Sequence, residues 1–360
     1  MKKLFVIAAL TMAVLPLKAQ EVKFTVNGIS KDNGKTVAII DRLTNKQLGQ
    51  AVVADGKFSI EGSAEKDAFL TVKEDGLDWW TMFFNDGTPV TVNLNDSTLK
   101  GSPMNERVVA YDLQLGRPMM ALQLKLGGYS QEELESRRAE WEPLVQKIYM
   151  DKGELLNKIF ADNKDNVSPV AFVEEYIDVY GEEKLDEALA GQACANHPYV
   201  KRIKDRIARQ KEIEAKQKAV IGKQFTDLEE TDVDGTMHKL SEYVGKGKWV
   251  LVDFWASWCG PCRAEMPNVV AAYEKFHAKG FDIVGLSFDN RKEPWVKAIA
   301  DLKMPWVHLS DLKGWKTVAS SVYNVNAIPD NLLIDPQGKI VARGLRGEDL
   351  AARLKEIFGE

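Results

Sequence analysis

The sequence predicts an α/β fold for the last third of the chain, behind a small antiparallel β-domain and a helical segment. Three patterns, one for each segment, predict this organisation. Short alternating runs broken by turn residues indicate the β-domain, apolar residues at helical spacing indicate the helical segment, and an apolar strand that leads into a helix near Cys259 indicates the α/β fold. The predicted boundaries are 1–19 for a signal peptide, 20–102 for the β-domain, 103–219 for the helical linker domain and 220–360 for the α/β domain.

The composition is that of an ordinary soluble globular protein. The chain has 360 residues, of which 45% are hydrophobic and 28% are charged, so it is neither a disordered chain nor an integral membrane bundle. Its formal net charge of −5 offers no basic field to a phosphate backbone, and we therefore expect no nucleic-acid partner. The presence of only three cysteines excludes a small disulfide-stapled scaffold.

The first residues have the organisation of a cleavable signal peptide. Lys2 and Lys3 precede an apolar run from Leu4 to Leu15, and the small residue Ala19 follows. The run is shorter than the roughly 20 apolar residues that a membrane-spanning helix needs. A short buried N-terminal helix is the alternative interpretation. No cysteine lies near the expected cleavage site, so we predict export to the periplasm without a lipid anchor or any other membrane segment.

Residues 20–102 alternate apolar and polar positions in short runs. Val22, Phe24 and Val26 fall on one face of a strand, and Asn-Gly or Asp-Gly pairs stand where hairpins would turn. These pairs are Asn33-Gly34, Asp55-Gly56, Asp75-Gly76 and Asp86-Gly87. Their spacing predicts an antiparallel sandwich or open barrel.

Helix signals follow in residues 103–219. Ser130 and Glu133 form a capping-box pattern that predicts a helix running toward position 160, and further helices are expected over 168–181 and from about 198 to 218. Cys194 lies alone in this segment, where a small buried residue is its simplest interpretation.

Cys259 and Cys262 are separated by two residues at the predicted turn from strand to helix. The strand pattern covers 249–255, and the helix pattern follows from Arg263. The unpaired N–H groups and the positive dipole end of the first helical turn favour a thiolate at Cys259. Cys262 is expected one turn deeper on the same side of the helix, close enough to close a disulfide and less accessible.

A zinc site is the main alternative for a pair of cysteines at this spacing. A structural zinc site needs four ligands, and the sequence offers one pair, one distant cysteine and four scattered histidines. We therefore expect redox exchange at this pair, with no metal and no cofactor.

The segment 254–262, with the sequence FWASWCGPC, resembles the active-site segment of the thioredoxin superfamily. Residues 222–360 resemble the exported TlpA/ResA-type thiol-disulfide oxidoreductases more closely than thioredoxin itself. The resemblance implies a thioredoxin-like fold, in which helices flank a central mixed sheet. It does not extend to the N-terminal half of the chain.

The resemblance also implies a role for each matching residue. Cys259 is the expected attacking thiol, and Cys262 is the expected resolving thiol. Ile328 and Pro329 match the cis-proline loop, so the peptide bond between them is expected to be cis. The residues implied to contact substrate are Trp258, Gly260, Pro261, Ile328 and Pro329.

Two carboxylates complete the expected catalytic set. Asp253 matches the buried aspartate of thioredoxins, whose raised pKa lets it take the proton from Cys262; a strand-end aspartate bonded to backbone is the alternative. Glu265 matches the acidic residue near the active site of ResA-type reductases; a solvent-facing helix residue is the alternative. Gly285 stands where thioredoxins often carry a lysine near the aspartate.

The implied chemistry is thiol–disulfide exchange in the reducing direction, because the Gly-Pro dipeptide between the cysteines resembles that of reductases. We expect disulfide-containing proteins as substrates and a membrane thiol donor as the source of electrons. Three alternatives stay open: a periplasmic oxidant or isomerase, a peroxiredoxin, and a binding or assembly protein in which the redox module is accessory.

Overall fold

The computed structural model describes residues 20–77 and 80–359, and the signal-peptide prediction for residues 1–19 lies outside them. Contacts between residues divide the chain into two compact units, with the boundary between Ile207 and Ala208. In the described ranges, every helix is too short or too polar to span a bilayer.

Strands come first in the N-terminal unit. They are β1 (Glu21–Ile29), β2 (Thr36–Asp41), β3 (Gln47–Val52), β4 (Lys57–Glu65), β5 (Phe69–Glu74), β6 (Thr81–Phe84), β7 (Val90–Asn93) and β8 (Thr98–Lys100). They form one sheet in the order β4-β1-β7-β8 and a second in the order β3-β2-β5-β6. Every pairing is antiparallel except that of β1 with β7, which is parallel.

The two sheets share one apolar core, as the alternating pattern of the sequence predicts. Phe24 and Val26 of the first sheet and Ile39 and Leu70 of the second are buried together in it. Strands β1 and β4 direct alternate side chains to this core, which is the period of a half-buried strand, whereas β5 and β6 are buried on both faces. The antiparallel β-domain expected from the sequence is therefore confirmed as a two-sheet sandwich.

The four Gly-containing turns differ from the expected hairpins in what they connect. Asp75-Gly76 follows β5 and precedes β6, its paired neighbour, whereas Asn33-Gly34, Asp55-Gly56 and Asp86-Gly87 each lead from one sheet to the other. The three glycines of these crossings have φ values of 81°, 72° and 83°. A positive φ allows a tight reversal in either setting, so turn chemistry alone does not say which sheet the next strand joins.

Helices complete the N-terminal unit. They are α1 (Pro103–Leu126), α2 (Gln131–Ser136), α3 (Arg138–Asp162), α4 (Val173–Tyr180), α5 (Leu185–Leu189) and α6 (Pro198–Lys218), which continues past the unit boundary. Cys194 is fully buried among them and forms no disulfide. Burial raises the pKa of its thiol to about 11, so the thiol stays protonated and unreactive at neutral pH.

Two details of this helical segment correct the sequence prediction. The capping box is present, with Glu133 N–H donating to Ser130 Oγ at 3.3 Å, but the helix it opens ends at Ser136 rather than running toward position 160. Ser136 Oγ donates to the Glu133 carbonyl, and this local bond competes with helix continuation. The segment Ser168–Phe172 forms a 3₁₀ turn, and the α-helix begins only at Val173.

The C-terminal unit contains a mixed sheet between helices, as the resemblance implied. Its strands are β9 (Glu229–Thr231), β10 (Met237–Lys239), β11 (Trp249–Trp255), β12 (Phe281–Ser287), β13 (Val307–Leu309), β14 (Asp330–Ile334) and β15 (Ile340–Arg343). Its helices after α6 are α7 (Gly260–Phe276), α8 (Lys292–Asp301), α9 (Val318–Tyr323) and α10 (Gly347–Phe358).

Strand β11 lies at the centre of a five-stranded sheet in the order β13-β12-β11-β14-β15. It runs parallel to β12 and antiparallel to β14. Its near-continuous apolar sequence fits a strand that is covered on both faces. Because β11 leads into Cys259, the buried strand fixes the position of the cysteine pair at the C-terminal end of the central strand.

Candidate active site

Cys259 and Cys262 form a disulfide at the N-terminal end of α7, with their Cα atoms 5.3 Å apart. Cys259 is the N-cap of the helix, and its Sγ accepts the backbone N–H of Cys262 at 3.1 Å. In the reduced protein the same N–H and the helix dipole favour a thiolate on Cys259. Cys259 is 4% exposed and Cys262 is 1% exposed, so Cys259 is the more accessible of the two.

The proline loop precedes β14 and lies at the same end of the sheet as the cysteines. Strand β14 begins at Asp330 and pairs there with Phe254, five residues before Cys259 in the chain. The peptide bond between Ile328 and Pro329 is cis, as the resemblance implied.

The expected substrate-contacting residues differ in accessibility. Trp258, Gly260 and Pro261 are exposed, whereas Ile328 is half-buried and Pro329 is buried. The accessible parts of the set next to Cys259 are therefore the Trp258 ring and the first turn of α7.

Asp253 lies on the central strand, with its Cα paired to those of Gly285 on one side and Asn331 on the other. Its side chain is 4% exposed, and its Oδ2 has no hydrogen-bond partner. Burial, reinforced by the charges of Glu265 and Asp330, raises the pKa of this carboxyl to about 7. The carboxyl is therefore poised to exchange a proton near neutral pH.

Glu265 lies in the second turn of α7 and is half-buried. Its Oε1 accepts the backbone N–H of Gly347 at 2.7 Å, and its Oε2 accepts Asn268 Nδ2 at 3.1 Å. The carboxylate thus binds the first residue of α10, where a negative charge is favourable. It also opposes ionisation of Asp253 through its charge. The structure therefore ties Glu265 to a neighbouring helix, in contrast to the solvent-facing alternative.

Arg346 is a residue of this site that the sequence analysis missed. Its guanidinium donates to the carbonyl oxygen of Pro329, and its positive charge lowers the pKa of Asp253 against the effect of burial. Arg346 immediately precedes α10, far along the chain from Asp253. No local motif marks it, because only the folded arrangement of β14, β15 and α10 brings it to the proline loop.

The space beside Gly285 is filled by a second missed residue, His308. A Cβ atom added to Gly285 would lie 2.5 Å from His308 Nδ1. The imidazole is buried against Trp255, and burial lowers its pKa to about 4. At neutral pH His308 is therefore uncharged. Gly285 stands where many thioredoxins carry a lysine, and the ring beside it is neutral.

No metal centre accompanies the site in the described ranges: no three His, Cys, Asp or Glu side chains there are grouped to hold a metal ion. The polar groups at the cysteine pair are instead a helix N-terminus, a buried carboxyl and an arginine. The described residues thus place a disulfide at the start of α7 and a buried carboxyl on the strand that leads into it.

The C-terminal unit is similar in sequence to known proteins. The AhpC/TSA family profile matches residues 221–343. The thiol-disulfide oxidoreductase ResA of Bacillus cereus is 35% identical over 143 residues, which make up 39% of this chain and 78% of that protein. ResA of Geobacillus kaustophilus is 29% identical over 140 residues, or 38% of this chain and 78% of that protein.

Among solved structures, the thioredoxin domain of a thiol-disulfide oxidoreductase from Bacteroides vulgatus is 37% identical. The match covers 38% of this chain and 97% of that domain, with a TM-score of 0.36. On the identity and coverage of the ResA relatives, the chain belongs, through its C-terminal unit, to the ResA family of thiol-disulfide oxidoreductases.

Proposed function

We propose that this protein is an exported reductase of protein disulfides that works through a reversible dithiol/disulfide at Cys259 and Cys262. The observation that carries the proposal is the placement of Cys259 at the N-cap of α7, beside a less accessible partner cysteine. The buried carboxyl of Asp253 lies on β11, the strand that leads into Cys259. This combination supplies what exchange chemistry requires: a stabilised thiolate, an internal resolving thiol and a proton acceptor.

The first step is attack by the Cys259 thiolate on one sulfur of the substrate disulfide. The substrate S–S bond breaks, a mixed disulfide forms, and the second substrate sulfur leaves as a thiolate that takes a proton. Cys262 then loses its proton and attacks the Cys259 sulfur, so the mixed disulfide breaks and the substrate leaves with both thiols reduced. Two electrons have passed from the protein to the substrate.

Asp253 accepts the proton from Cys262 in the second step. With a pKa of about 7, a substantial fraction of this carboxyl is ionised at neutral pH and is basic enough to receive a proton. The Cys262 thiol is almost fully buried and has little access to solvent bases. An internal carboxylate is therefore the natural acceptor, acting directly or through one water molecule.

The reducing direction and the periplasmic location rest on the sequence. The Gly260-Pro261 dipeptide is typical of reductases, and residues 1–19 have the pattern of a cleavable signal. In the periplasm an oxidised Cys259–Cys262 pair needs a supply of electrons, which we assign to a thiol donor in the membrane.

Measurement of the reduction potential of the full chain tests the direction. We expect a value nearer to the roughly −270 mV of thioredoxin than to the roughly −120 mV of strong oxidants. The reduced protein should also reduce insulin, and Cys259→Ser should abolish this activity. A potential near the upper value would assign the protein to the alternative class of periplasmic oxidants or isomerases.

N-terminal sequencing of protein purified from its native cell tests export. We expect the mature chain to begin at about residue 20 and to be recovered from the periplasm. Recovery of a chain that still begins at Met1 would contradict export.

A further inference from the structure

Two exposed tryptophans lie side by side next to the cysteine pair. Trp258 is 53% exposed and Trp315 is 46% exposed, and their ring centroids are 6.3 Å apart. We call these two rings the tryptophan shelf. Contiguous apolar patches on a protein surface mark interaction sites, and tryptophan is one of the residue types enriched at the energetic centre of such sites.

The buried residue Asp289 forms hydrogen bonds to both segments that carry the shelf tryptophans. Its carboxylate accepts the backbone N–H of Ser257 at 2.9 Å and the hydroxyl of Ser287 at 2.8 Å, while the Asp289 carbonyl accepts the N–H of Gly314 at 3.3 Å. One residue therefore connects the loop that carries Trp258 to the 3₁₀ turn that carries Trp315.

Two further contacts fix the Trp315 side of the shelf. The Phe288 ring packs edge-on against Trp315 at 5.2 Å, and Thr317 donates to the buried Glu230 at 2.7 Å. These contacts fix the Trp315 ring and the backbone of the loop that carries Trp258 before any partner arrives. A preformed aromatic surface loses little conformational entropy on binding, which favours affinity.

Four basic residues, which we call the basic rim, lie at the 3₁₀ turn that carries Trp315 and in the segment that follows Asp289. Lys313 and Lys316 flank Trp315, while Arg291 and Lys292 follow Asp289 at the start of α8; all four are exposed. Three acidic groups lie in the same segments, namely the buried Asp289 and two others. Asp311 is largely buried and contacts Lys313 at 3.5 Å, and Glu293 is exposed in the first turn of α8. In a chain of net charge −5, this surface therefore carries a local excess of positive charge.

We propose that the tryptophan shelf and its basic rim bind an extended, acidic stretch of substrate polypeptide that adjoins the disulfide to be reduced. The inference rests on the proposed function, because it names the class of substrate that the same cysteines reduce. Cys259 is nearly buried, so only a narrow extended segment brings a disulfide to its sulfur, and that segment passes beside Trp258. Apolar side chains of the segment pack on the shelf, and its carboxylates pair with the rim.

Two matched peptides test the inference on the reduced full chain. Both contain one disulfide and the same apolar residues, but one has Asp and Glu flanks and the other has Lys and Arg flanks. We expect the acidic peptide to be reduced about tenfold faster at low ionic strength, with the difference shrinking at about 0.5 M salt because screening weakens attraction between charges. Hydroxyethyl disulfide, which is small and neutral, serves as the reference substrate.

Variants separate the two parts of the surface. Lys313→Gln with Lys316→Gln should remove most of the preference for the acidic peptide, whereas Lys246→Gln with Lys355→Gln, at exposed lysines elsewhere in the unit, should leave it intact. Trp315→Ala should slow both peptides about tenfold. Each peptide rate is divided by the rate of the same variant with hydroxyethyl disulfide, so that any change at the cysteine pair itself cancels.

Equal rates for the two peptides, or a preference that survives in the Lys313/Lys316 variant, would overturn the inference while leaving the reductase intact. A faster basic peptide would assign the surface to the opposite class of substrate. Concentration-dependent self-association that Trp315→Ala abolishes, with no peptide preference, would assign the shelf to a second copy of the chain. Failure of the wild-type protein to reduce hydroxyethyl disulfide would instead contradict the proposed function.

Discussion

Replacement of Asp253 by Asn removes one ionisable group from the core of the C-terminal unit, and its effect on stability can be worked out from the structure. Burial and two neighbouring carboxylates raise the pKa of Asp253 from 3.8 to about 7. The unfolded chain ionises the same group at its ordinary pKa. The shift of about three pH units corresponds to about 4 kcal/mol of the free energy of unfolding.

The direction of the effect follows from proton binding. Between about pH 4 and about pH 7 the folded carboxyl keeps its proton while the unfolded one has lost it, so the free energy of unfolding falls as the pH rises. Below this range both states are protonated and the penalty vanishes. The variant Asp253→Asn has no such group. Relative to wild type, its free energy of unfolding should therefore be about 4 kcal/mol more favourable to folding at about pH 8 than at about pH 4.

Urea unfolding of the oxidised full chain at the two pH values measures this difference. Six of the nine tryptophans lie after residue 208, so tryptophan fluorescence reports mainly on the C-terminal unit. Comparison of two pH values within each protein cancels the direct effect of exchanging a carboxyl for an amide. If the difference between variant and wild type changes by less than about 1 kcal/mol between the two pH values, the assignment of a raised pKa to Asp253 is refuted.

Three further predictions concern the surroundings of Asp253. Arg346→Gln should raise the pKa of Asp253 and shift the pH profile of mixed-disulfide resolution upward, because a stabilising positive charge is lost. Glu265→Gln should shift the same profile downward, since a repelling negative charge is lost. Gly285→Ala should lower the free energy of unfolding by about 1–3 kcal/mol, because the new methyl group meets the buried His308 ring.

Each of these predictions has a matched control. Arg346→Lys keeps the charge and should leave the pH profile close to that of wild type, so an equal shift in the Lys and Gln variants would contradict an electrostatic role. Shifts of Arg346→Gln and Glu265→Gln in the same direction would contradict it as well. Gly116→Ala, on α1 where an added Cβ meets nothing within 4 Å, should not destabilise the protein. A Gly285→Ala variant as stable as wild type would show that the His308 ring yields without cost.

The parts of the site that the sequence predicted are those encoded by neighbouring residues. The apolar run of β11, the two cysteines and the helix after them are contiguous, so the N-cap position of Cys259 follows from local pattern. Asp253 lies within the same strand pattern, and its burial was expected from the resemblance to thioredoxins. The capping box at Ser130 was likewise present, although the helix it opens is short because Ser136 bonds back to the preceding turn.

The parts that were missed depend on how distant segments meet. Arg346 reaches the Pro329 carbonyl only because β14 and β15 pair and α10 packs beside α7. Trp315 lies beside Trp258 because the hydrogen bonds of Asp289 and the packing of Phe288 connect two segments that are distant in the chain. In the β-domain, alternation indicated strands but not the sheet that each strand joins, since a Gly-containing turn serves both a hairpin and a crossing.

The order of attack at the cysteine pair is tested most directly by trapping. Reduced full-length Cys262→Ser and Cys259→Ser proteins are each mixed with the acidic peptide disulfide, quenched in acid and analysed by mass spectrometry with peptide mapping. We predict that Cys262→Ser accumulates one covalent adduct on Cys259, and that Cys259→Ser accumulates none, with the buried Cys194 unmodified in both. An adduct on Cys262 in the Cys259→Ser protein, or no adduct in Cys262→Ser, would contradict Cys259 as the attacking thiol.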